Sequence, residues 1–449
     1  MIAQNVKIAI EKSFSETSQK GCLELRKWVE EKNKALKSEL RKISLQDQDF
    51  WFLDESGIIK NRNHSFFTIE GIKGKVDKKI VEQPIIIQNE VGYLGFITKI
   101  IDGKLLFLMQ AKIEPGNVNK VQLSPTIQAT ESNFKQKHGG KEPPYLSYFK
   151  NVNKYTVIYD GIQPEQCSRF YKKYNRNVVI LVEDEVEILP RYKWASLNEI
   201  KELLISVPNL VNMDTRTVIS CLPLDEIVPS LMTAEDESKL LESKINKYRE
   251  ANSSECNFCS LSELKGWKID SKGITCTKPY PFSVNYYSIS IEDREVTKWT
   301  QPLVVANGEA LFGTFVCFID NELNFLIRIK EEIGANNCAL FGPYIQKESI
   351  ELNRICDSKN ETLFFKLLNE KKNIAVDIVQ SEEGGRFYHE QNRNVLILVD
   401  KKDLDLKEKH CFLVNYKTLR MLINDYKDVN IQMRSLLSMI GETLWKIKK

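Results

Sequence analysis

The chain is 449 residues long, more than one ordinary hydrophobic core can organise, so two domains or one duplicated unit are expected. Its 64 lysines and arginines nearly balance 61 aspartates and glutamates, and a net charge of +3 gives no general attraction for nucleic acid or an acidic membrane surface. Hydrophobic residues at 42% and charged residues at 28% exclude a disordered chain.

The opening MIAQNVKIAIEKSF lacks the continuous apolar run of a secretory leader, and no later run has the length of a bilayer span, so a cytoplasmic protein is expected. Residues 3–44 carry Ile8, Ile10, Phe14, Cys22, Leu25, Trp28 and Val29 at helical spacing, which predicts one or two amphipathic helices. From Phe50 the pattern changes to short apolar runs, QPIII, YLGFITKI and LLFLMQA, bounded by Gly, Asp and Asn. These are strand and hairpin signals, with Asp102-Gly103 as a tight turn.

Met109 to Phe149, MQAKIEPGNVNKVQLSPTIQATESNFKQKHGGKEPPYLSYF, then concentrates hydrogen-bonding side chains: Gln110, Lys112, Glu114, Asn117, Thr126, Gln128, Thr130 and Asn133 among them. Such a run is either the solvated face of strands and turns or the wall of a site for a polyhydroxylated or phosphorylated ligand. Lys112 and Glu114 stand two apart on an expected strand, hence on one face, as an ion pair or as a working pair. Trp194 to Val207 and Arg216 to Leu222 read as helical pieces, and residues 224–262, polar and periodic from Ala234 to Tyr248, as a helical connector. Ten scattered cysteines fit reduced thiols. Cys256 and Cys259 form a C-x2-C without a second half, so no metal site is expected.

After the connector the chain repeats itself. An offset of 218 residues carries Gln83 to Gln301, Gly95 to Gly313, Asp102 to Asp320, Lys112 to Lys330, Glu114 to Glu332 and Gln128 to Gln346. RFYKKYNRNVVILV at Arg169 is answered by RFYHEQNRNVLILV at Arg386. A period this long means a duplicated domain rather than a solenoid unit. The expected divisions are a helical segment 1–48, a first module 49–223, the connector 224–262 and a second module 263–449. Only the first copy has Thr130, Asn133, His138, Gly139-Gly140 and Tyr145, which predicts that it keeps the working site while the second copy is structural or holds a degenerate pocket. SEEGG at Ser381 reads PEQCS at Pro164, and Cys167 in place of a glycine restricts positive φ there.

The block from Leu108 to Phe149, with HSFFTIEGI at His64, QPIIIQNEVGYLGF at Gln83, EQCSRFYKKYNRNV at Glu165 and VNMDTRTVISCLP at Val211, resembles the NDP-hexose 2,3-dehydratases of deoxysugar biosynthesis. The resemblance implies an α/β fold of the α+β kind, a tandem duplication of a Nudix-like module with mixed sheets flanked by helices, and a homodimer. Neither copy carries the pyrophosphatase signature of a Nudix hydrolase: RIKEEIG at Arg328 lacks the upstream glycine and glutamate, and without clustered carboxylates phosphoanhydride cleavage has no metal.

The resemblance implies loss of the C2 hydroxyl from a nucleotide-linked 4-keto-6-deoxyhexose, dTDP-linked by analogy, with no cofactor because the electrons stay in the sugar. Such a site needs a base near C3, donors for the enolate oxygen at C4 and an acid for the departing hydroxyl. Glu114 and His138 are the candidates for base and acid in either order, with Lys112 and Tyr145 as enolate donors. Arg169 and Arg176 suit the diphosphate. His64, Gln110, Asn117, Thr126, Gln128, Thr130 and Asn133 are further substrate contacts, and Trp51, Phe67 and Tyr171 are candidates to stack on the base. A non-catalytic sugar-nucleotide binding protein would keep the arginines and dispense with the proton-transfer set.

Overall fold

The computed structural model describes residues 2–47, 50–130, 142–224, 234–252, 256–292, 296–336, 338–354, 356–442 and 444. Helices α1 (Gln4–Ser15) and α2 (Gln19–Ala35) are amphipathic, as their spacing requires: Val6, Ala9, Ile10 and Phe14 of α1 and Leu25 and Val29 of α2 are buried. Ser13 fixes α1 by donating its hydroxyl to Leu105 O (2.5 Å) and accepting from Leu197 N (2.8 Å). The helical expectation fails at Ser38–Ile43, which is strand β1.

The rest of the first half is sheet with helices on it. Strands β2 (Trp51–Leu53), β3 (Ile59–Asn61), β4 (Thr68–Val76) and β5 (Lys79–Ile87) form one sheet, and β6 (Gly92–Ile101) and β7 (Lys104–Ile113) begin another. Asp102 and Gly103, at φ 52° and 75°, make the expected turn between β6 and β7, both central residues left-handed as a two-residue hairpin favours. β8 (Val121–Ser124) lies on β7 and β9 (Ile127–Ala129) on β6. Helix α3 (Leu146–Lys150), β10 (Thr156–Pro164), β11 (Phe170–Tyr171), β12 (Tyr174–Leu181) and β13 (Tyr192–Ser196) follow. The larger sheet runs β10-β12-β6-β7-β13, with only β12 and β6 parallel. β11 joins the smaller sheet in parallel with β5. Helix α4 (Leu197–Ser206) starts later than expected: Ser196 and Glu199 form a capping box, and the preceding residues complete the sheet. Helix α5 is Met213–Ile219, capped by Asn212, so the helical piece lies upstream of the Arg216–Leu222 expected.

Helix α6 (Ala234–Ala251) opens a second pass through the same elements. These are β14 (Asn257–Cys259), β15 (Trp267–Asp270), β16 (Gly273–Cys276), β17 (Phe282–Ile291), β18 (Lys298–Ala306), β19 (Ala310–Ile319), β20 (Glu322–Glu331), β21 (Ala339–Pro343), β22 (Ile345–Lys347), α7 (Lys359–Glu370), β23 (Ile374–Ser381), β24 (Phe387–Tyr388), β25 (Gln391–Leu398), β26 (Cys411–Asn415), α8 (Tyr416–Met421) and α9 (Ile431–Ser438). Sheet order repeats too: β23-β25-β19-β20, with β21, β22 and β26 attached as β8, β9 and β13 are.

The halves exchange parts. β1 pairs with β17 of the second half, and its counterpart β14 pairs with β4 of the first, so each small sheet is completed by the other half. The two small sheets also share one core, in which Trp51, Phe67, Ile86 and Phe170 meet Ile274, Phe282, Tyr286 and Phe387. Phe170 and Phe387, equivalent residues, stand edge to face at 5.9 Å. The main core likewise runs through both halves, from Phe107 and Met109 to Phe325 and Met433. Burying a large apolar side chain is worth about 1.5–3 kcal/mol, so a shared core holds the halves more firmly than the surface ion pairs do.

At the junction, Gly116 N donates to Gly384 O (2.7 Å) and His389 N to Gly116 O (2.8 Å); equivalently, Gly334 N donates to Cys167 O (2.9 Å) and Lys172 N to Gly334 O (2.7 Å). Cys167 does not adopt positive φ, and neither do Gly384 and Gly385, so the expected restriction at this loop is not the deciding one. Space decides instead. A Cβ on Gly384 would stand 2.2 Å from Asn117 Oδ1, whereas Cys167 faces the smaller Ala335, the residue equivalent to Asn117, and packs on it.

Candidate active site

A cavity of about 700 Å³ lies between the halves and takes its walls from both. β7 explains how one wall forms: Ala111 and Ile113 face the core, while Gln110, Lys112 and, just past the strand end, Glu114 face the cavity. Gln128 and Thr130, on and after β9, Glu165, Lys173 and Asn175 around β11, and Asp214 at the start of α5 complete the polar surface of the first half. Phe50, Trp51, Phe66, Phe67 and Trp299 supply aromatic walls. The second half contributes Gln301, Glu383 and Arg386, so the second copy is not only structural: its SEEGGRF loop completes the site. This corrects the expectation of a site confined to the first copy.

Glu114 is 5% exposed and held by one oxygen. Gln128 Nε2 donates to its Oε1 (2.7 Å), and Gln128 Oε1 in turn accepts from Asn212 Nδ2 (3.2 Å). Glu114 Oε2 has no hydrogen-bond partner among the described residues. Lys112 Nζ donates to Gln128 O (2.9 Å), which places the ammonium beside the same network. Arg386 lies over the Phe67 ring at 4.5 Å and donates to Gly385 O (2.9 Å). Asn175 Nδ2 donates to Glu165 Oε1 (2.7 Å).

Crowded carboxylates resist ionisation together. Burial, reinforced by the charges of Glu383, Glu114 and Glu165, pushes Asp214 well above the usual carboxylate range, with Lys112 opposing. Burial and Glu114 push Glu383 up to about 8 against the pull of Arg386. Burial brings Lys173 down to about 8 although Glu165 favours its charge.

The cavity thus gathers Gln110, Lys112, Glu114, Thr126, Gln128 and Thr130, with Trp51 and Phe67, from the residues singled out in the sequence. Thr126 has a structural partner set, donating to Leu108 O (2.6 Å) and accepting from Ile97 N (2.9 Å). Other candidates lie elsewhere. Arg169 pairs with Glu348 (2.9 Å) in the second half's equivalent position, and Arg176 forks onto Asp160 (2.7 and 2.5 Å); neither lines the cavity. Tyr145 Oη donates to Glu187 O (2.7 Å) and accepts from Leu189 N (3.1 Å), and only its ring approaches the cavity, at 4.8 Å from the lining Tyr192. Tyr171 packs edge-on against Phe258 (4.8 Å), Asn117 donates to Lys120 O (3.1 Å), and His64 is exposed in a turn, its N–H donating to Asn61 O (3.0 Å). Asn133 and His138 lie outside the described residues. Cys256 Sγ donates to Ile333 O (3.5 Å), and Cys259 belongs to β14.

Asp214, Glu165, Lys173, Glu383 and Arg386 escaped the sequence reading. Asp214 did carry a signal: the 218-residue offset sets Gln432 opposite it, a difference in charge within an otherwise repeated segment.

Buried carboxyls raised above the usual carboxylate range, beside lysines in an aromatic-walled cavity, are the surroundings in which acid–base sites for polar ligands are found. The chain belongs to the NDP-hexose 2,3-dehydratase family, whose model matches it twice, at residues 23–222 and 238–440. Curated relatives agree. A dTDP-4-dehydro-6-deoxy-alpha-D-glucopyranose 2,3-dehydratase from Saccharopolyspora spinosa is 34% identical over 406 residues, 85% of this chain and 83% of the relative. Enzymes of the same name from Amycolatopsis orientalis (31% over 446 residues, 97% of this chain and 93% of the relative) and Streptomyces violaceoruber (32% over 431 residues, 92% and 95%) are also similar.

Proposed function

We propose that this chain is a hydro-lyase that removes the C2 hydroxyl of a dTDP-linked 4-keto-6-deoxyhexose and yields the 3,4-diketo-2,6-dideoxy sugar. The observation that carries the reading is Glu114: it lines the cavity, one oxygen is anchored by Gln128, and the other is buried and without a partner among the described residues. A carboxylate so held is preorganised to take the C3 proton, which the neighbouring C4 ketone acidifies. Lys112 stands beside it to stabilise negative charge on the C4 oxygen. Electrons from C3–H pass into the enolate and then expel the C2 oxygen, so the reaction balances without a redox cofactor. The resulting enol takes a solvent proton at C2.

Arg386 replaces Arg169 and Arg176 as the cation for the diphosphate, since it lines the cavity and those two do not. Trp51 and Phe67 line the cavity as candidates to stack on the base, with Arg386 over the Phe67 ring. His138 stays a candidate for proton transfer by resemblance. We also read each half as a Nudix-like module and the protein as a homodimer, on the resemblance alone, and, on the sequence's own patterning, as cytoplasmic with divisions near residues 48, 223 and 262. In support of the enzyme reading, the substrate named for the relatives is a sugar nucleotide; among the described residues no helix is long and apolar enough to cross a membrane.

The test incubates purified protein with dTDP-4-keto-6-deoxyglucose in D2O and follows loss of water by mass spectrometry. Dehydration with deuterium at C2 is expected, and Glu114→Gln should lower turnover about 100-fold or more while binding persists. Saturable binding without dehydration by the unaltered protein would replace the lyase with a sugar-nucleotide binding protein.

A further inference from the structure

Glu114 accounts for the proton that leaves C3, but the departing C2 hydroxyl needs a proton as well. Asp214 is 3% exposed, lines the same cavity, and its Oδ2 has no hydrogen-bond partner among the described residues. Its position is set by the network that holds Glu114. Asn212 caps α5 by accepting from Thr215 N (2.9 Å), while its Nδ2 donates to Ser124 Oγ and Gln128 Oε1, both at 3.2 Å. Two residues further on, Asp214 lines the cavity together with Gln128 and Glu114.

The second half is an internal control. There Gln346 Nε2 donates to Glu332 Oε1 (2.7 Å) and Asn430 Nδ2 to Gln346 Oε1 (2.9 Å), which reproduces the Glu114–Gln128–Asn212 network. The residue equivalent to Asp214 is Gln432, equally buried. An amide packs in that place but has no proton to release near neutral pH. The repeated parts thus account for holding a glutamate, and the exchange of Asp214 for Gln432 leaves the second half's network with an amide where the first has a carboxyl.

We infer that Asp214 is the acid that protonates the departing C2 hydroxyl, a role that rests on the dehydratase reading. Glu114 accepts the C3 proton and the C3–H electron pair forms the enolate. As the C4 carbonyl re-forms, the pair moves into C2=C3, the C2–O bond breaks, and the Asp214 proton completes water. Glu114 ends protonated and Asp214 ionised, and solvent exchange resets both. An acid must begin protonated, and burial first, then the neighbouring Glu383 and Glu114, raise Asp214 well above the usual carboxylate range.

The roles separate in D2O. Asp214→Asn should reduce dehydration of dTDP-4-keto-6-deoxyglucose about 100- to 10,000-fold, the usual share of a general acid, with little change in KM. It should still exchange the C3 hydrogen of unreacted substrate for deuterium, because Glu114 is intact; Glu114→Gln should lose both activities. Asp214→Gln, which installs the side chain the second half already buries, is the companion variant should the asparagine protein fold poorly. Dehydration within a fewfold of the unaltered protein, or loss of C3 exchange together with dehydration, would overturn the assignment. Failure of the unaltered protein to dehydrate the substrate would instead remove the functional reading, and the inference with it.

Discussion

Glu390 shows how single residues set the behaviour of the junction. It is 4% exposed, stands where the first copy has Lys173, and is pushed up to about 8 by burial, with Arg169 opposing and Glu382 and Glu348 adding to the rise. Glu382 moves the same way, to about 7. A carboxyl whose folded pKa exceeds its unfolded one keeps its proton in the native state while the unfolded chain gives it up. Stability is then fully present below the unfolded value near 4.5 and is lost as pH rises through 7 to 8. The thermal midpoint should accordingly fall between pH 5 and pH 9, and Glu390→Gln should flatten that fall and raise the midpoint at pH 8.5 while changing little at pH 5. Parallel melting curves for the two proteins across this range would show that Glu390 is ionised in the native state. The same residues mark what the sequence could disclose. Strand alternation and the repeat point to Lys112, Glu114 and Gln128 because their positions follow from local geometry. Arg169 and Arg176 look like diphosphate ligands until their partners are known, and Glu348 is 179 residues from Arg169, where no local pattern can reach. Tyr145 fails likewise, its hydroxyl taken up by the backbone of residues 187 and 189.

The elements that matter most for the site are two short loops held against each other by backbone hydrogen bonds at Gly116. A Cβ on Gly116 would lie 1.6 Å from Phe387 O, a contact with backbone that no rotamer change relieves. Gly116→Ala should therefore displace the 382–387 loop, cost about 1–3 kcal/mol or more in denaturant unfolding, and lower turnover, since Glu383 and Arg386 ride on that loop. Unchanged stability and activity would mean that the loop is not clamped there. Gly334→Ala, 2.0 Å from Phe170 O, should destabilise similarly through the other junction. At this scale the sequence is legible where an element makes its own pattern. Helices α1, α2 and α6 and the Asp102-Gly103 hairpin all follow from spacing or turn chemistry. β1 does not, because SELRKI has a weak burial alternation, intermediate and exposed throughout, and earns its strand from β17, a partner some 250 positions away. Tyr192–Ser196 reads as helix because α4 follows directly, and only the vacant edge of β7 makes it a strand.

Across the whole molecule, duplication has produced one cooperative body rather than two beads. β1 and β14 cross to the opposite small sheets, the cores are shared, and buried arginines cross as well: Arg216 donates to Ser435 Oγ (2.7 Å) and Ser381 O, and Arg434 donates to Pro164 O. Each half produced alone would leave a sheet edge unpaired, an arginine without its carbonyl and a large apolar face in water. A fragment of residues 1–224 and a fragment of residues 234–449 should therefore each be aggregation-prone or molten when expressed singly. Expressed together they should associate, because the crossing parts are encoded whole in each fragment, and dehydration of dTDP-4-keto-6-deoxyglucose should return only in the mixture. The cavity sharpens the expectation: Glu114 and Lys112 belong to one fragment and Glu383 and Arg386 to the other, so neither carries the full site. Turnover by the first fragment alone would show that the second half is dispensable for chemistry. Two separately folded fragments with independent melting transitions would show that the shared core is weaker than its burial implies.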